Sequence, residues 1–333
     1  MTTKRHHYVS KFYLEQFADV SSALSKPSVW VFERGGIEPK LIPADNTAVQ
    51  SHYYSIKKLD GQNDDIFERF LNTNEGHAAP VLSRIQKEEG AVDGDDRGKV
   101  AVFISLLLLR VPAARDWVHE NVASLERVRA RAMASAPGIL EGAAQKMERQ
   151  SGETSSVSVD TIREFLLSDR YTIEVSPTVS LDAIYRLGET TAKILMDMRW
   201  DLLKSDDEPF LTSDNPVTYV DPTDRGGFFG TPLLAKGVEL TFPISPSMCL
   251  LATHNQLFYD AVVREAARGV RNVTLNRIPE TSYRSVLPIV VRQINRRTVC
   301  KATRYVFCSV NHAPIRRFIA KHLCKRKDFA NGE

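Results

Sequence analysis

The feature that most constrains the fold of this 333-residue chain is an apolar run that ends at a charged residue. Ala101 to Leu109 contains one polar side chain, that of Ser105, and Arg110 follows directly. A membrane-spanning helix needs about 20 apolar residues, so this run is too short to cross a bilayer. The pattern predicts a helix from Lys99 to Val111 that is buried in a hydrophobic core.

The N-terminus and the cysteines indicate the cellular compartment of the protein. The first residues, MTTKRHHYVS, show no apolar stretch and no cleavage site of a secretory signal. The four cysteines lack CxxC spacing, which is typical of reduced cytosolic thiols. We therefore expect a cytoplasmic protein with no membrane partner. The glycines form neither G-x-G-x-x-G nor a Walker A loop, so no nucleotide or flavin cofactor is predicted.

The predicted secondary structure changes from mostly helical to strand-rich near Trp200. A helix over 64–87 should kink or break at Gly76 and Pro80, and a helix over 115–134 should show a charged outer face. Shorter predicted elements are a helix over 11–18 capped by Ser10, strands over 29–33 and 53–56, and a helix over 257–267. The fold class is α+β: one family domain over 1–333, helical over 60–200, with a small mixed or antiparallel sheet built from 1–59 and 200–333.

The charge distribution is uneven although the formal net charge is only +3. Residues 281–327 contain 12 Lys and Arg and no Asp or Glu, so the remainder of the chain is acidic. A field polarised in this way attracts polyanions such as nucleic acids. The alternative is a solvated basic surface that only keeps the protein in solution.

Several motifs occur together in a recognisable order. They are Arg5-His6-His7-Tyr8-Val9 with Phe12 and Phe17, VWVFER at 29–34, EGHAAP at 75–80, Arg110-Val111-Pro112, FLTSDNPV at 210–217, FPISP at 242–246, and Asn295 with ATRYV at 302–306. In these motifs the chain resembles the family called domain of unknown function 4238, although Ser10 stands where that family often has proline. The resemblance implies kinship over nearly the whole chain and a place in bacterial phage defence.

The first candidate site is the histidine pair His6-His7. Adjacent strand residues point to opposite faces, so one imidazole should face a site while the other packs. An imidazole can act as a general base or ligate a metal, and the neighbouring Arg5 suits phosphate. The alternative is a structural pair in which a histidine fixes a buried backbone group.

The second candidate site is the turn Thr212-Ser213-Asp214-Asn215-Pro216. Asp214 could ligate a divalent metal or orient a histidine, Ser213 could contact substrate or act as a nucleophile, and Asn215 could contact substrate. The alternative is ordinary turn chemistry, in which these side chains bond the local backbone.

A third candidate group lies on the predicted helix over 64–87. Glu68 and Glu75 are two turns apart and share one face. With Asp214 and His7, Glu75 would form a carboxylate–histidine set of the type that holds Mg²⁺ or Mn²⁺. For Glu68 alone we favour a solvated position.

Three further polar residues could contact phosphate. Arg110 must pair with a carboxylate or meet a ligand, and a structural salt bridge is the more economical explanation. Asn295 and Arg304 could bind phosphate or tie a helix to the sheet.

Together these residues lead to two functional hypotheses. The first is a nuclease-like effector in which Asp214 and Glu75 hold a divalent ion, His6 or His7 activates water, and Arg5, Arg110 and Arg304 bind phosphate. The second is a non-catalytic module that senses nucleic acid or a partner through the basic C-terminal region. The sequence does not fix the oligomeric state.

Overall fold

The apolar run forms a buried helix, as its composition predicts. In the computed structural model, which describes residues 5–57, 63–88, 92, 94–168, 170–222, 233–254 and 281–323, this helix extends over Gly94–Arg110. Its buried side chains include Phe103, Ile104 and Leu107. In the described part of the chain no helix is both long enough and apolar enough to span a bilayer.

The elements confirm an α+β fold. The strands are β1 Arg5–His7, β2 Ser28–Glu33, β3 Lys40–Pro43, β4 Val49–Ser51, β5 Ile56–Lys57, β6 Asn63–Asp64, β7 Met198–Lys204, β8 Thr212–Ser213, β9 Thr218–Val220, β10 Glu239–Ser245, β11 Met248–His254, β12 Thr281–Ser285 and β13 Tyr305–Cys308. The helices are α1 Lys11–Glu15, α2 Ile66–Gln86, α3 Gly94–Arg110, α4 Pro112–Ser135, α5 Ile139–Ser151, α6 Val159–Leu167, α7 Pro177–Asp197, α8 Pro288–Lys301 and α9 Ala313–Leu323. The helix predicted over 257–267 lies outside the described residues.

The strands form two larger sheets and two short ribbons. A five-stranded mixed sheet has the order β12-β7-β11-β10-β9, and a four-stranded antiparallel sheet has the order β3-β2-β13-β8. The four-stranded sheet joins N-terminal strands to C-terminal ones, which confirms that the two ends of the chain build a sheet together. The ribbons are β1 with β4 and β5 with β6.

One face of the four-stranded sheet carries a hydrophobic core. Phe32, Val306 and Cys308 pack there against side chains of α8 and α9 such as Val299 and Ile319. Because strand side chains alternate, the neighbouring residues point to the opposite face of the same sheet. That opposite face is the floor of the groove described below.

The chain divides into two compact units. One comprises 1–113 and 184–333, and the other comprises 114–183. The region predicted to be helical, 60–200, is therefore shared between them. Every candidate site residue named from the sequence belongs to the first unit.

Two local predictions are wrong for identifiable reasons. Helix α2 runs unbroken through Gly76 and Pro80, because its buried face, which includes Leu71 and Ile85, is held by packing. The strand predicted over 53–56 is mostly a turn, because the backbone at His52 has a positive φ of 52°.

Candidate functional site

The histidine pair lies on the ribbon formed by β1 and β4. His6 is fully buried and His7 is half-buried, in agreement with the predicted alternation. His7 is directly opposite Val49 on β4. Side chains of opposed residues in an antiparallel pair stand on the same face, about 5 Å apart at Cβ. The ribbon therefore directs His6 inward and sets His7 beside Val49.

His6 has structural contacts. Its Nδ1 accepts a hydrogen bond from the backbone N–H of Tyr54 at 2.8 Å, and its ring stacks on the Tyr54 ring with centroids 5.6 Å apart. Its Nε2 lies 3.9 Å from Asp65 Oδ1. These contacts favour the structural alternative for His6 over the predicted catalytic role, because the imidazole secures a buried backbone group.

His7 has the properties expected of a base. Burial lowers the pKa of its imidazole below the ordinary value of 6.5, although the Glu75 carboxylate and the Asp45 carbonyl oppose that shift. The ring is therefore neutral at neutral pH. Its buried Nε2 has no hydrogen-bond partner among the described residues. A buried ring nitrogen that has no protein partner forms its hydrogen bond with an ordered water molecule or with a ligand.

Arg110 lies at the centre of a polar cluster, which consists of Arg110, Glu75, His7 and Glu68. Its side chain is 2% exposed, and Nη1 donates to Glu75 Oε1 at 2.7 Å. Nη2 donates to the hydroxyl of Ser10 at 2.8 Å, so Ser10 begins α1 without capping it through its side chain. The Arg110 carbonyl accepts from the Tyr53 hydroxyl at 3.0 Å. The predicted salt bridge of Arg110 is confirmed, and its partner is Glu75.

Glu68 belongs to the same cluster, although the sequence favours a solvated position. Its half-buried carboxyl lies within electrostatic reach of Arg110, Glu75 and Asp65. Burial raises the pKa of Glu68 from 4.5 to about 7, with Arg110 opposing and Glu75 reinforcing the shift. The spacing of seven residues along α2, which places Glu68 and Glu75 on one face, is the signal that could have identified it.

Replacing Glu68 with glutamine should stabilise the protein at pH 8 but not at pH 4. Because the pKa of Glu68 is higher in the folded state than in the unfolded state, its ionisation opposes folding. This penalty grows as the pH rises from the unfolded pKa to the folded pKa and is complete above the folded pKa. Below the unfolded pKa the carboxyl is protonated in both states, so there is no penalty. Denaturant unfolding of wild type and Glu68→Gln at the two pH values measures the difference. The exposed Glu164→Gln is the matched control. An equal effect of Glu68→Gln at both pH values would contradict the assignment.

The Asp214 carboxylate accepts hydrogen bonds from the backbone of its own sheet. Its Oδ1 accepts from the N–H of Thr303 at 2.8 Å, and its Oδ2 accepts from the N–H groups of Arg304 and Tyr305 at 2.6 and 3.0 Å. The side chain is 3% exposed. With both oxygens engaged in this way, Asp214 anchors the start of β13, which is the turn-chemistry alternative for this motif.

The other polar residues of the turn are also internally bonded. The hydroxyl of Ser213 is buried, donates to the Asn215 carbonyl at 2.9 Å and accepts from the Asn215 N–H at 3.1 Å. The Asn215 amide donates to the Lys301 carbonyl at 3.3 Å. These contacts explain the turn and provide no base that could activate Ser213 as a nucleophile.

Three predicted substrate contacts remain: Asn295 has a structural role, whereas Arg304 and Arg5 lie on the protein surface. Asn295 Oδ1 accepts from the Leu211 N–H at 2.8 Å, and its amide donates to the Pro209 carbonyl at 2.9 Å, so it ties α8 to the segment before β8. Arg304 is 63% exposed and pairs with Glu33 at 2.6 Å. Arg5 is exposed and donates to Asn46 Oδ1 at 2.8 Å, on the ribbon side that carries His7.

A groove of about 310 Å³ opens over the free face of the four-stranded sheet. Its aromatic lining is Tyr8, Tyr305 and Phe307, and its charged lining is Glu33, Glu38 and Lys40. Val49, the cross-strand partner of His7, lines it too, as does Asn46, the partner of Arg5. The groove therefore reaches the cross-strand neighbour of His7 and the hydrogen-bond partner of Arg5, a link with no signal in the sequence.

The predicted metal set is not assembled. Among the described residues, no group of three or more His, Cys, Asp and Glu side chains is placed to hold a metal ion. The Asp214 carboxylate accepts from three backbone amides, whereas Glu75 pairs with Arg110 and acts on His7 electrostatically. The set of Asp214, Glu75 and His7 therefore does not fit a bound Mg²⁺ or Mn²⁺ in this arrangement.

The motifs that resemble domain of unknown function 4238 can now be assigned to elements of the fold. The model of that family, described as protein of unknown function (DUF4238), matches residues 5–311. The chain belongs to the DUF4238 family. Neither a curated protein nor a solved structure matches this DUF4238 protein significantly. The family match covers the ribbon, the polar cluster, the groove and the TSDNPV turn.

Proposed function

We propose that this DUF4238 protein is a nuclease-like enzyme that cleaves phosphodiester bonds of a nucleic acid or nucleotide by acid–base catalysis. The observation that carries the proposal is that His7 and Glu68 both lie within electrostatic reach of one ion pair, Arg110–Glu75. Near neutral pH the His7 imidazole is neutral, because burial lowers its pKa, and about half of the Glu68 carboxyl is protonated, because burial raises its pKa to about 7. A base and an acid whose ordinary pKa order is reversed by their surroundings are typical of catalytic sites.

In the proposed reaction, His7 accepts the proton of the attacking hydroxyl, from water or from a ribose 2′-OH. The oxygen attacks phosphorus, the bond to the leaving oxygen breaks, and Glu68 donates its proton to that oxygen. Arg110 and the exposed Arg5 offset the negative charge on the phosphate. Glu75 holds Arg110 in place, which makes Glu75 a positioning residue in this scheme.

The groove supports a nucleic-acid substrate. Single-stranded nucleic acids bind through bases stacked on aromatic side chains, and each stacked base contributes about 1–3 kcal/mol. Tyr8, Tyr305 and Phe307 offer such rings in the groove, and Lys40 lies at its edge. A base held there would place the adjoining phosphate towards Arg5 and His7.

The test is incubation of the purified protein with labelled RNA and DNA, in EDTA and with added Mg²⁺ or Mn²⁺. We expect cleavage in EDTA, because the described cluster supplies acid and base side chains and no assembled metal set. Absence of cleavage of both polymers under every condition would refute the proposal. Cleavage that depends strictly on the metal would refute the acid–base scheme and restore the predicted cofactor.

The second candidate is a non-catalytic module that binds nucleic acid through its basic region. Most cations of the described C-terminal segment pair with carboxylates, including Arg292 with Glu208 and Arg297 with Glu239. Four exposed cations have no carboxylate partner among the described residues; they are Arg296, Lys301, Arg317 and Lys321. Salt-sensitive binding without turnover in the same assay would favour this candidate. A role in phage defence rests on the family resemblance alone.

A further inference from the structure

The floor of the groove is a strip of aromatic and aliphatic side chains. On the free face of the four-stranded sheet, Tyr305 is opposite Glu33, and Phe307 is opposite Val31. The rings of Tyr305 and Phe307 are nearly parallel, at 20°, with centroids 6.4 Å apart. Phe307 and Val31 are buried, whereas Tyr305 is half-buried, so solvent reaches the Tyr305 ring. A flat aromatic ligand that stacks on Tyr305 would cover apolar surface there.

Three charged side chains line the groove beside this floor, and they are Glu33, Glu38 and Lys40. The side chains of Glu33 and Glu38 are 38% and 71% exposed. Lys40 is exposed and has no carboxylate partner among the described residues. Two carboxylates against one ammonium group disfavour a phosphate at this position. They favour a neutral group that carries N–H donors, because a carboxylate only accepts hydrogen bonds.

The Glu33 carboxylate is held in place through one of its two oxygens. Arg304 donates to Oε1 from both Nε and Nη2, at 2.8 and 2.6 Å. The same guanidinium lies 5.0 Å from the centroid of the Tyr305 ring. Glu33 Oε2 has no hydrogen bond to a described residue. Arg304 therefore fixes the carboxylate next to Tyr305 and leaves one oxygen as an acceptor for a ligand.

The second carboxylate is held more loosely. Glu38 Oε2 contacts Arg316 Nη1 at 3.4 Å, and both side chains are exposed. An exposed ion pair at this distance contributes little to stability. Glu38 can therefore turn to accept a hydrogen bond from a ligand without a large cost.

The nucleobases differ in how well they satisfy these three charged groups. The Watson–Crick edge of guanine presents two adjacent donors, N1–H and the N2 amino group, beside the acceptor O6. Adenine and cytosine present one amino donor beside ring acceptors, and uracil presents one N–H between two carbonyl acceptors. Guanine therefore offers donors to both Glu33 and Glu38, and an acceptor to Lys40.

We propose that the groove is a guanine-binding subsite of this DUF4238 protein. The base stacks on Tyr305, its N1–H and N2 amino group donate to Glu33 and Glu38, and its O6 accepts from Lys40. A role of this subsite in substrate selection rests on the proposed nuclease function, and it directs cleavage to positions next to guanine. Binding of the base itself requires no turnover.

Calorimetric titration with guanosine and inosine monophosphate tests the subsite, because these nucleotides differ only in the N2 amino group. Wild type should bind the guanosine nucleotide about 10-fold more tightly than the inosine nucleotide. The nucleotides of adenine, cytosine and uracil should also bind more weakly than that of guanine. The double variant Glu33→Gln, Glu38→Gln should lose the preference for guanosine over inosine.

The matched control is Glu208→Gln, which alters the carboxylate of another exposed arginine pair, with Arg292, outside the groove. It should keep the wild-type preference, and circular dichroism checks that each variant is folded. Three results would overturn the subsite. They are no binding of the guanosine nucleotide, equal binding of both nucleotides by wild type, and a preference that persists in the double variant.

Cleavage of a defined RNA separates this inference from the proposed function. We expect cuts next to guanine in wild type and a weaker preference for guanine in the double variant. Cleavage without any base preference would overturn the subsite as a substrate contact and leave the nuclease proposal standing. Selective binding of the guanosine nucleotide without cleavage of any polymer would refute the nuclease proposal and support the guanine site.

Discussion

Asp214→Ala should destabilise the protein by about 3 kcal/mol or more. The substitution removes the acceptor of three backbone N–H groups, those of Thr303, Arg304 and Tyr305, whose hydrogen bonds to the Asp214 carboxylate are partly buried. A fully buried donor left without a partner costs about 1–3 kcal/mol, and a partly buried one costs less, so three such donors together account for a loss of this size. They lie at the start of β13, which is between β2 and β8. Chemical denaturation monitored by circular dichroism measures the loss.

Two further variants sharpen this measurement. Asp214→Asn keeps one acceptor oxygen but turns an NH₂ group towards a backbone donor, so it should lose stability to an intermediate extent. Asp207→Ala, at an exposed turn, should leave the unfolding midpoint unchanged. If Asp214→Ala unfolds like wild type yet abolishes activity, the anchoring role is refuted and the residue returns to the site.

His7→Ala should lower the rate of phosphodiester cleavage by about 100- to 10,000-fold, the contribution of a positioned general base. The loss should appear in kcat, because the base acts on the proton of the attacking hydroxyl. The fold should persist, since His7 is half-buried and its Nε2 has no partner among the described residues. Single-turnover kinetics at saturating protein isolate the chemical step.

The matched control is His77→Ala, which removes an exposed histidine from α2. It should cleave at the wild-type rate. Added imidazole should restore part of the activity to His7→Ala, because it can enter the space of the deleted ring. Undiminished cleavage by His7→Ala would contradict the assignment, as would an equal loss in His77→Ala.

Short-range patterns in the sequence predict much of this fold. The apolar run before Arg110 requires a buried helix, and a cation at its end requires a partner, which is Glu75. Alternation along β1 predicts that His6 and His7 face opposite sides. Each of these features depends on residues a few positions apart, where helix and strand geometry fix the outcome.

The roles of the polar side chains depend on contacts that sequence spacing does not show. Asp214 suits a metal or a turn equally well by composition, and the decision comes from amide donors about 90 residues away, at 303–305. His6 is structural because Tyr54, 48 residues away, donates to its ring. Glu68 gains its raised pKa from burial, which depends on the tertiary packing around α2.

The proposed chemistry depends on one cluster that holds His7 as a neutral base and keeps a substantial share of Glu68 protonated near neutral pH. NMR titration of the His7 imidazole and the Glu68 carboxyl, assigned with His7→Ala and Glu68→Gln, tests it most directly. Glu68 should titrate near pH 7 and His7 below pH 6.5, which reverses their ordinary order. A Glu68 that titrates near pH 4.5 with a His7 at or above pH 6.5 would contradict it.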